Sequence, residues 1–325
     1  MNDILSLASD NLISPIILSF ALGLIAAFAR SDLSIPEAVA KGMSIYLLFA
    51  IGFKGGAGVA AHGVDQTLIL SLVAGIVLSF GLPIIAFFLL KLLTNLDNIN
   101  RAAVAAHYGS ISIVTFVAAT SVLDGRSIDS EGYMVAVAAI MEAPAIMSAL
   151  WLLSRSGGQG KADGALYREI LTNGSIVLLV GAFFIGAITG EEGLATISSF
   201  IVAPFQGVLC LFLLDMGLVA GRGLRESRCD LGMGAVAFGV IMPPIGASIG
   251  LLMAVLIGLS AGGAALLMVL SASASYIAVP AAMRVALPEA KPSIYLTLSL
   301  GVTFPFNLVI GIPIYAAIAT QVVGG

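Results

Sequence analysis

The chain reads as an all-α membrane protein: ten transmembrane helices in two inverted five-helix repeats, with helices 4 and 9 broken. Three observations predict this. Of its 325 residues 59% are hydrophobic and 10% charged, with mean hydropathy +1.10. A soluble domain carries about 25% charged residues, so there is too little polar surface here to cover a globule in water. The apolar residues gather into ten segments, each near the roughly 20 residues a spanning helix needs. Finally, small residues recur between the first five segments and the last five at nearly constant spacing. Five is odd, so the second copy enters the membrane from the opposite side. Inverted copies that meet at the midplane are how secondary transporters build a substrate site.

Span 1, 12–29, follows Asp3 and Asp10 and precedes the first cation, Arg30. That is the wrong charge order for a cleaved signal, so the span is read as retained. Span 2, 42–61, holds several glycines and Lys54, whose stem can snorkel to the outer face. Span 3 covers 67–90. Span 4, 102–123, carries His107-Tyr108-Gly109-Ser110-Ile111-Ser112-Ile113-Val114-Thr115, polar for a buried depth. Span 5, 132–154, holds Glu142 before Pro144. Spans 6 and 7, 170–190 and 193–221, follow a Gly-rich polar linker, and span 7 holds Asp215. Leu231–Met283 has no charged side chain and is long enough for two crossings, 231–257 and 262–283, with Ser260–Gly263 between them. Span 10, 293–320, is interrupted at Phe304-Pro305 and carries Asn307. The first repeat is thus 1–153, the cytoplasmic linker 154–166 and the second repeat 167–325. No loop is long enough for a soluble domain, and the two cysteines, Cys210 and Cys229, suggest no disulfide framework.

The cations set the orientation. With the N-terminus outside, 12 of the 14 Lys and Arg fall in inner loops, and Lys54 and Arg126 are the exceptions. Asp65, Asp124, Asp129, Glu131, Glu191 and Glu192 fall in outer loops. The positive-inside rule then places both termini outside, as an even number of crossings requires.

The halves align on small residues. Gly42, Gly52, Gly56 and Gly58 recur 165 positions later as Gly207, Gly217, Gly221 and Gly223. Ser110-Ile111-Ser112 matches Ser273-Ala274-Ser275 at 163, and Pro83-Ile84 matches Pro244-Ile245 at 161. Ala143-Pro144-Ala145 matches Phe304-Pro305-Phe306 at 161. A duplicated unit with small loop indels behaves this way.

Spans 4 and 9 are the least lipid-like. Each puts small hydroxyl residues at mid-membrane beside a Gly or Pro: Gly109 in span 4, Pro280 in span 9. Proline removes a helical hydrogen bond and glycine permits an unwound backbone. Freed backbone groups survive at that depth only where they face protein or a wet cavity. Two half-helix N-termini converging there present positive dipole ends to an anion, and the hydroxyls and carbonyls suit Na⁺. Gly109, Ser110, Ile111, Ser112, Ser273, Ala274, Ser275 and Tyr276 are therefore the candidate anion site. The bland alternative is tight helix packing by small residues. A carboxylate inside the membrane is costly and marks function by default, which singles out Glu142 and Asp215; their repeat mates are Thr303 and Ala50. The candidate Na⁺ ligands are Ser110, Thr115, Glu142, Asp215, Ser275, Thr303 and Asn307. His107 is read as a hydrogen-bonded core residue.

The Gly109–Phe116 stretch, Ser273-Ala274-Ser275-Tyr276 and Met141-Glu142-Ala143-Pro144 resemble the sodium-dependent bicarbonate transporter family first known from cyanobacteria, along essentially the whole chain. The resemblance implies a homotrimer in a bacterial inner (plasma) membrane and Na⁺-driven symport of HCO₃⁻. It implies a core domain that moves against a gate domain, with a site built by the two broken helices. It implies no cofactor beyond Na⁺ as coupling ion. It also implies a PII-like regulatory protein on the cytoplasmic side, against which the short linker of this chain counts. The residues by themselves leave open another small anion or Na⁺/H⁺ exchange through Asp215 and Glu142. They weigh against a membrane-embedded enzyme: with only His62 and His107 there is no HExxH or paired-His constellation.

Overall fold

Helices α1 to α13 account for nearly all of the described residues in a computed structural model, which describes 13–63, 65–155, 172, 174–226 and 232–324. No strand occurs among them. Residues 156–171, which include all but the first two of the expected linker 154–166, and Cys229 lie outside the described residues. Among the described residues, eight helical stretches are long and apolar enough to cross a membrane, and two shorter apolar helices accompany them.

α1 (Pro15–Phe28) starts at a serine cap, Ser14, with Pro15 at its first position, where proline's missing N–H is no loss. α2 (Glu37–His62) and α3 (Gln66–Leu93) come next; the Asp65 side chain caps α3 by accepting from the Leu68 N–H. α4 (Asn98–Gly109) is capped by Asp97 and stops at Gly109. After three extended residues α5 (Ile113–Gly125) resumes, capped by Ser112. α6 (Met134–Ile140) and α7 (Glu142–Arg155) are parted at Met141.

In the second half α8 (Gly174–Ile201) and α9 (Phe205–Glu226) come first. Here one expectation is corrected. The helix does break where expected, at Gly190 (φ 58°, ψ −149°), where two helical segments of α8 meet, but the second segment runs only to Ile201, so span 7 does not start at 193. The two glutamates open the second segment, and α9 begins after a further turn at 202–204. α10 (Met233–Ile257) leads to α11 (Ala261–Ala272), capped by Ser260, and then, after residues 273–277, to α12 (Ala278–Ala286). α13 (Pro292–Val323) runs to the end of the described chain with π-helical stretches at Thr297–Thr303 and Asn307–Gly311 around Pro305.

The helices pack in two groups. In one, α2 lies along α8 and α1 along α9, with α9 also touching α2. In the other, α3 packs on α4 and α7, α10 on α11, α11 on α13, and α3 on α10. The first group is joined backbone to backbone by glycines. A methyl on Gly56 would strike the Phe183 carbonyl, and one on Gly186 the Phe53 carbonyl. Across the other crossing, Gly217 meets the Phe20 carbonyl and Gly23 the Leu214 carbonyl. The second group is clasped at both ends. Glu131, just before α6, accepts from the Ser260 N–H at 2.7 Å and the Ser260 hydroxyl at 2.9 Å. Asn100 Oδ1, in the first turn of α4, accepts from the Lys291 N–H, just before α13, at 2.8 Å.

Candidate functional site: a cavity between two interrupted helices

The two interruptions lie against each other. The Ser112 N–H donates to Ser273 Oγ at 2.9 Å, and the Ser275 N–H donates to the His107 carbonyl at 2.7 Å. Backbone groups freed by one break are thus satisfied by the other, which is what survival at this depth demands. Glycine is required at the end of α4 by close approach, because a Cβ at Gly109 would overlap the Pro83 ring. Within each break a serine hydroxyl accepts from the first turn of the next helix: Ser112 Oγ from the Thr115 N–H at 3.2 Å and Ser275 Oγ from the Val279 N–H at 3.4 Å.

Beside the breaks lies a small cavity lined by Leu48, Ile111, Ser112, Ile113, Ala139, Glu142, Ser175, Ile176, Leu179, Ser275, Tyr276 and Ile277. About 20 Å³ of it is open to the centre of a water-sized sphere, room for one water or one bare ion. Glu142, 8% exposed, opens α7, and its Oε2 accepts from the Ser110 hydroxyl at 2.5 Å. The break that places it there is tied down by Ser79, whose hydroxyl donates to the Met141 carbonyl at 2.5 Å.

Of the residues singled out in the sequence, the structure brings Ile111, Ser112, Ser275, Tyr276 and Glu142 to the cavity wall, with Ser110 bonded directly behind Glu142. Gly109, Ser273 and Ala274 lie in the breaks themselves. Thr115 sits one turn into α5, buried, its hydroxyl without a hydrogen-bond partner among the described residues. Three others are elsewhere. Thr303 Oγ1 donates to the Gly239 carbonyl at 2.8 Å and so accepts from the Tyr108 hydroxyl at 2.5 Å. The Asn307 amide donates to the Ala272 carbonyl at 2.8 Å and accepts from the Tyr315 hydroxyl at 3.3 Å, closing the C-terminus of α11. Asp215 is buried in α9, feels the charge of Arg222, and is not in the cavity wall. His107 is a core residue: Nδ1 bonds the Ala103 carbonyl at 2.6 Å and the ring stacks on Tyr295.

The opposite wall escaped the sequence reading. Leu48 of α2 and Ser175, Ile176 and Leu179 of α8 close the cavity from the other packing group. Three of the four are aliphatic, and nothing in an aliphatic residue's letter separates cavity from lipid. The two groups also meet at the far end of α5, where Lys54 of α2 lies 3.5 Å from Asp124, with 36% and 63% of their side chains exposed. Nearby, the Gln206 amide of α9 reaches Ser121 at 3.5 Å.

A many-span helical protein with a small cavity between its helices, where serines and one carboxylate stand among aliphatic side chains, has the build of a membrane transporter. The chain belongs to the Na⁺-dependent bicarbonate transporter superfamily, whose profile matches residues 15–320. A comparison with curated proteins returned no match. Among the described residues no group of three or more His, Cys, Asp or Glu could hold a metal ion.

Proposed function

We propose that this protein is a Na⁺:HCO₃⁻ symporter of a bacterial inner membrane, working by alternating access. The observation that carries this reading is the pair of crossed interruptions, α4/α5 and α11/α12, joined through Ser112–Ser273 and Ser275–His107 beside a cavity that contains Glu142. The N-termini of α5 and α12 bring partial positive charge to an anion, and serine hydroxyls with a carboxylate suit Na⁺.

Ten crossings in two inverted repeats fit the packing, in which α2 on α8 is the counterpart of α9 on α1, and α3 on α4 that of α10 on α11. The glycine contacts repeat in the same sense, as do the two end clasps. The separation into α1, α2, α8, α9 and the remainder supports an elevator-like slide of a core past a gate. The cavity reaches the first residues of α8, which supports reading it as the cytoplasmic-facing arrangement of a protein with both termini outside. A homotrimer held by gate helices is part of the same reading.

The test is uptake of radiolabelled bicarbonate into proteoliposomes with Na⁺ replaced by K⁺. We expect uptake to follow a Na⁺ gradient and to stop without it. Glu142 at the cavity also fits a Na⁺/H⁺ exchanger. Proton movement driven by a Na⁺ gradient in bicarbonate-free medium would favour that second reading.

A further inference from the structure

We infer that the charge of Glu142 imposes an order on binding: the cation enters first and the anion binds only to the cation-loaded site. This rests on the proposed reading of the cavity as the anion site and specifies how that site is coupled.

The argument is one of charge. Among the described residues, Glu142 is the only charged one in the cavity wall, and no Lys, Arg or His lines it. A monovalent anion entering it meets a carboxylate of its own sign in a poorly solvated space, where like charges repel strongly. The helix N-termini offer only partial charges. A cation held on Glu142 removes the repulsion and adds attraction, whereas the cation needs no anion, since the carboxylate already attracts it. The volume agrees, for the cavity has room for a bare ion before it has room for a three-oxygen anion. The arrangement is one-sided. The repeat mate of Glu142 is Thr303, which is neutral and committed to Tyr108 and Gly239, so a single carboxylate governs the site. Ser110 holds that carboxylate through Oε2.

The role differs from that of a simple ligand in what its removal does. Losing a ligand weakens binding; losing this charge frees the anion from its dependence on Na⁺. We would measure equilibrium binding of ¹⁴C-bicarbonate to the purified protein at fixed pH and ionic strength, with Na⁺ replaced by choline, and binding of ²²Na⁺ in bicarbonate-free buffer. In the unaltered protein ²²Na⁺ should bind alone, and Na⁺ should raise bicarbonate affinity by ~100-fold, near the top of the range for coupled sites. In Glu142→Gln bicarbonate should bind in choline, with the Na⁺ stimulation cut below ~5-fold, while Glu142→Asp keeps it. A folded Glu142→Gln that retains full stimulation, or binds no bicarbonate in any medium, overturns the inference while leaving bicarbonate transport intact. Should Glu142→Gln not fold, the unaltered protein decides: equal bicarbonate binding in choline and Na⁺, or no ²²Na⁺ binding without bicarbonate, overturns it equally. If the unaltered protein binds bicarbonate in neither medium, the proposed substrate is wrong and the inference falls with it.

Discussion

Ser275 is buried, lines the cavity and accepts from the first turn of α12. Ser275→Leu would fill the open volume with side chain. We expect uptake to fall at least ~10-fold, a loss of ~1.4 kcal/mol or more in transition-state terms, with the protein still inserted and monodisperse; a normal rate would remove the cavity from the transport path. Asp215 illustrates the opposite case. Its depth in an apolar span singles it out, yet it stands in α9 away from the cavity wall. Asp215→Asn should shift the half-saturating Na⁺ concentration by less than ~5-fold, the lower edge of site-to-site coupling. A larger rise would put Asp215 in the cation's path. The two carboxylates are indistinguishable by hydropathy, and the difference between them is positional: Glu142 lies at a break in its helix and Asp215 within an unbroken one.

At the scale of elements, the glycines of α1, α2, α8 and α9 act as contact points. Gly23→Ala and Gly186→Ala each drive a methyl into a facing carbonyl. Each should destabilise the protein by ~1–3 kcal/mol, the usual cost of overpacking, read as a lower thermal midpoint in detergent. Gly42→Ala meets nothing within 4 Å and should be neutral or stabilising by up to ~1 kcal/mol through helix propensity. These glycines are legible in the sequence as a recurrence, but which of them touch is not. Gly42 and Gly207 align as well as Gly56 and Gly221, yet only the second pair is pressed against neighbouring helices. The interruptions at 110–112 and 273–277 are legible for a firmer reason, since serine runs beside Gly or Pro have no use for lipid. The break at Gly190 is legible from the glutamates that follow it; the turn at 202–204 is not, because the segment before it is apolar enough to read as part of span 7.

For the whole molecule, the clasps at opposite ends of the core give the topology test. Cysteines placed at Ser130, beside the Glu131–Ser260 clasp, and at Glu289, beside the Lys291–Asn100 clasp, should label from opposite sides in a background lacking Cys210 and Cys229. An impermeant reagent applied from outside should reach the first and spare the second. Labelling of both from one side would dismantle the inverted arrangement. Membrane class is legible from composition alone. The cavity is not, because half its wall is aliphatic and comes from helices distant in the chain.

The Lys54–Asp124 contact at the far end of α5 has a practical consequence for bench measurements. Both side chains are substantially exposed, so the bathing electrolyte weakens their attraction, with a Debye length of ~10 Å at 0.1 M salt and ~3 Å at 1 M. The pair joins α2 to the end of α5, across the boundary between the two packing groups, which the proposed mechanism slides past one another. Neither residue has a charged counterpart at the repeat spacing, where Val219 and Leu287 stand, so under the proposed mechanism electrolyte would act on one end of the cycle more than on the other. Under the proposed mechanism a sodium titration made by adding NaCl to buffer would therefore change two things at once, occupancy of the proposed ion site and the strength of this contact. Holding total electrolyte constant with choline chloride leaves only the first, and a parallel series in choline alone measures the second.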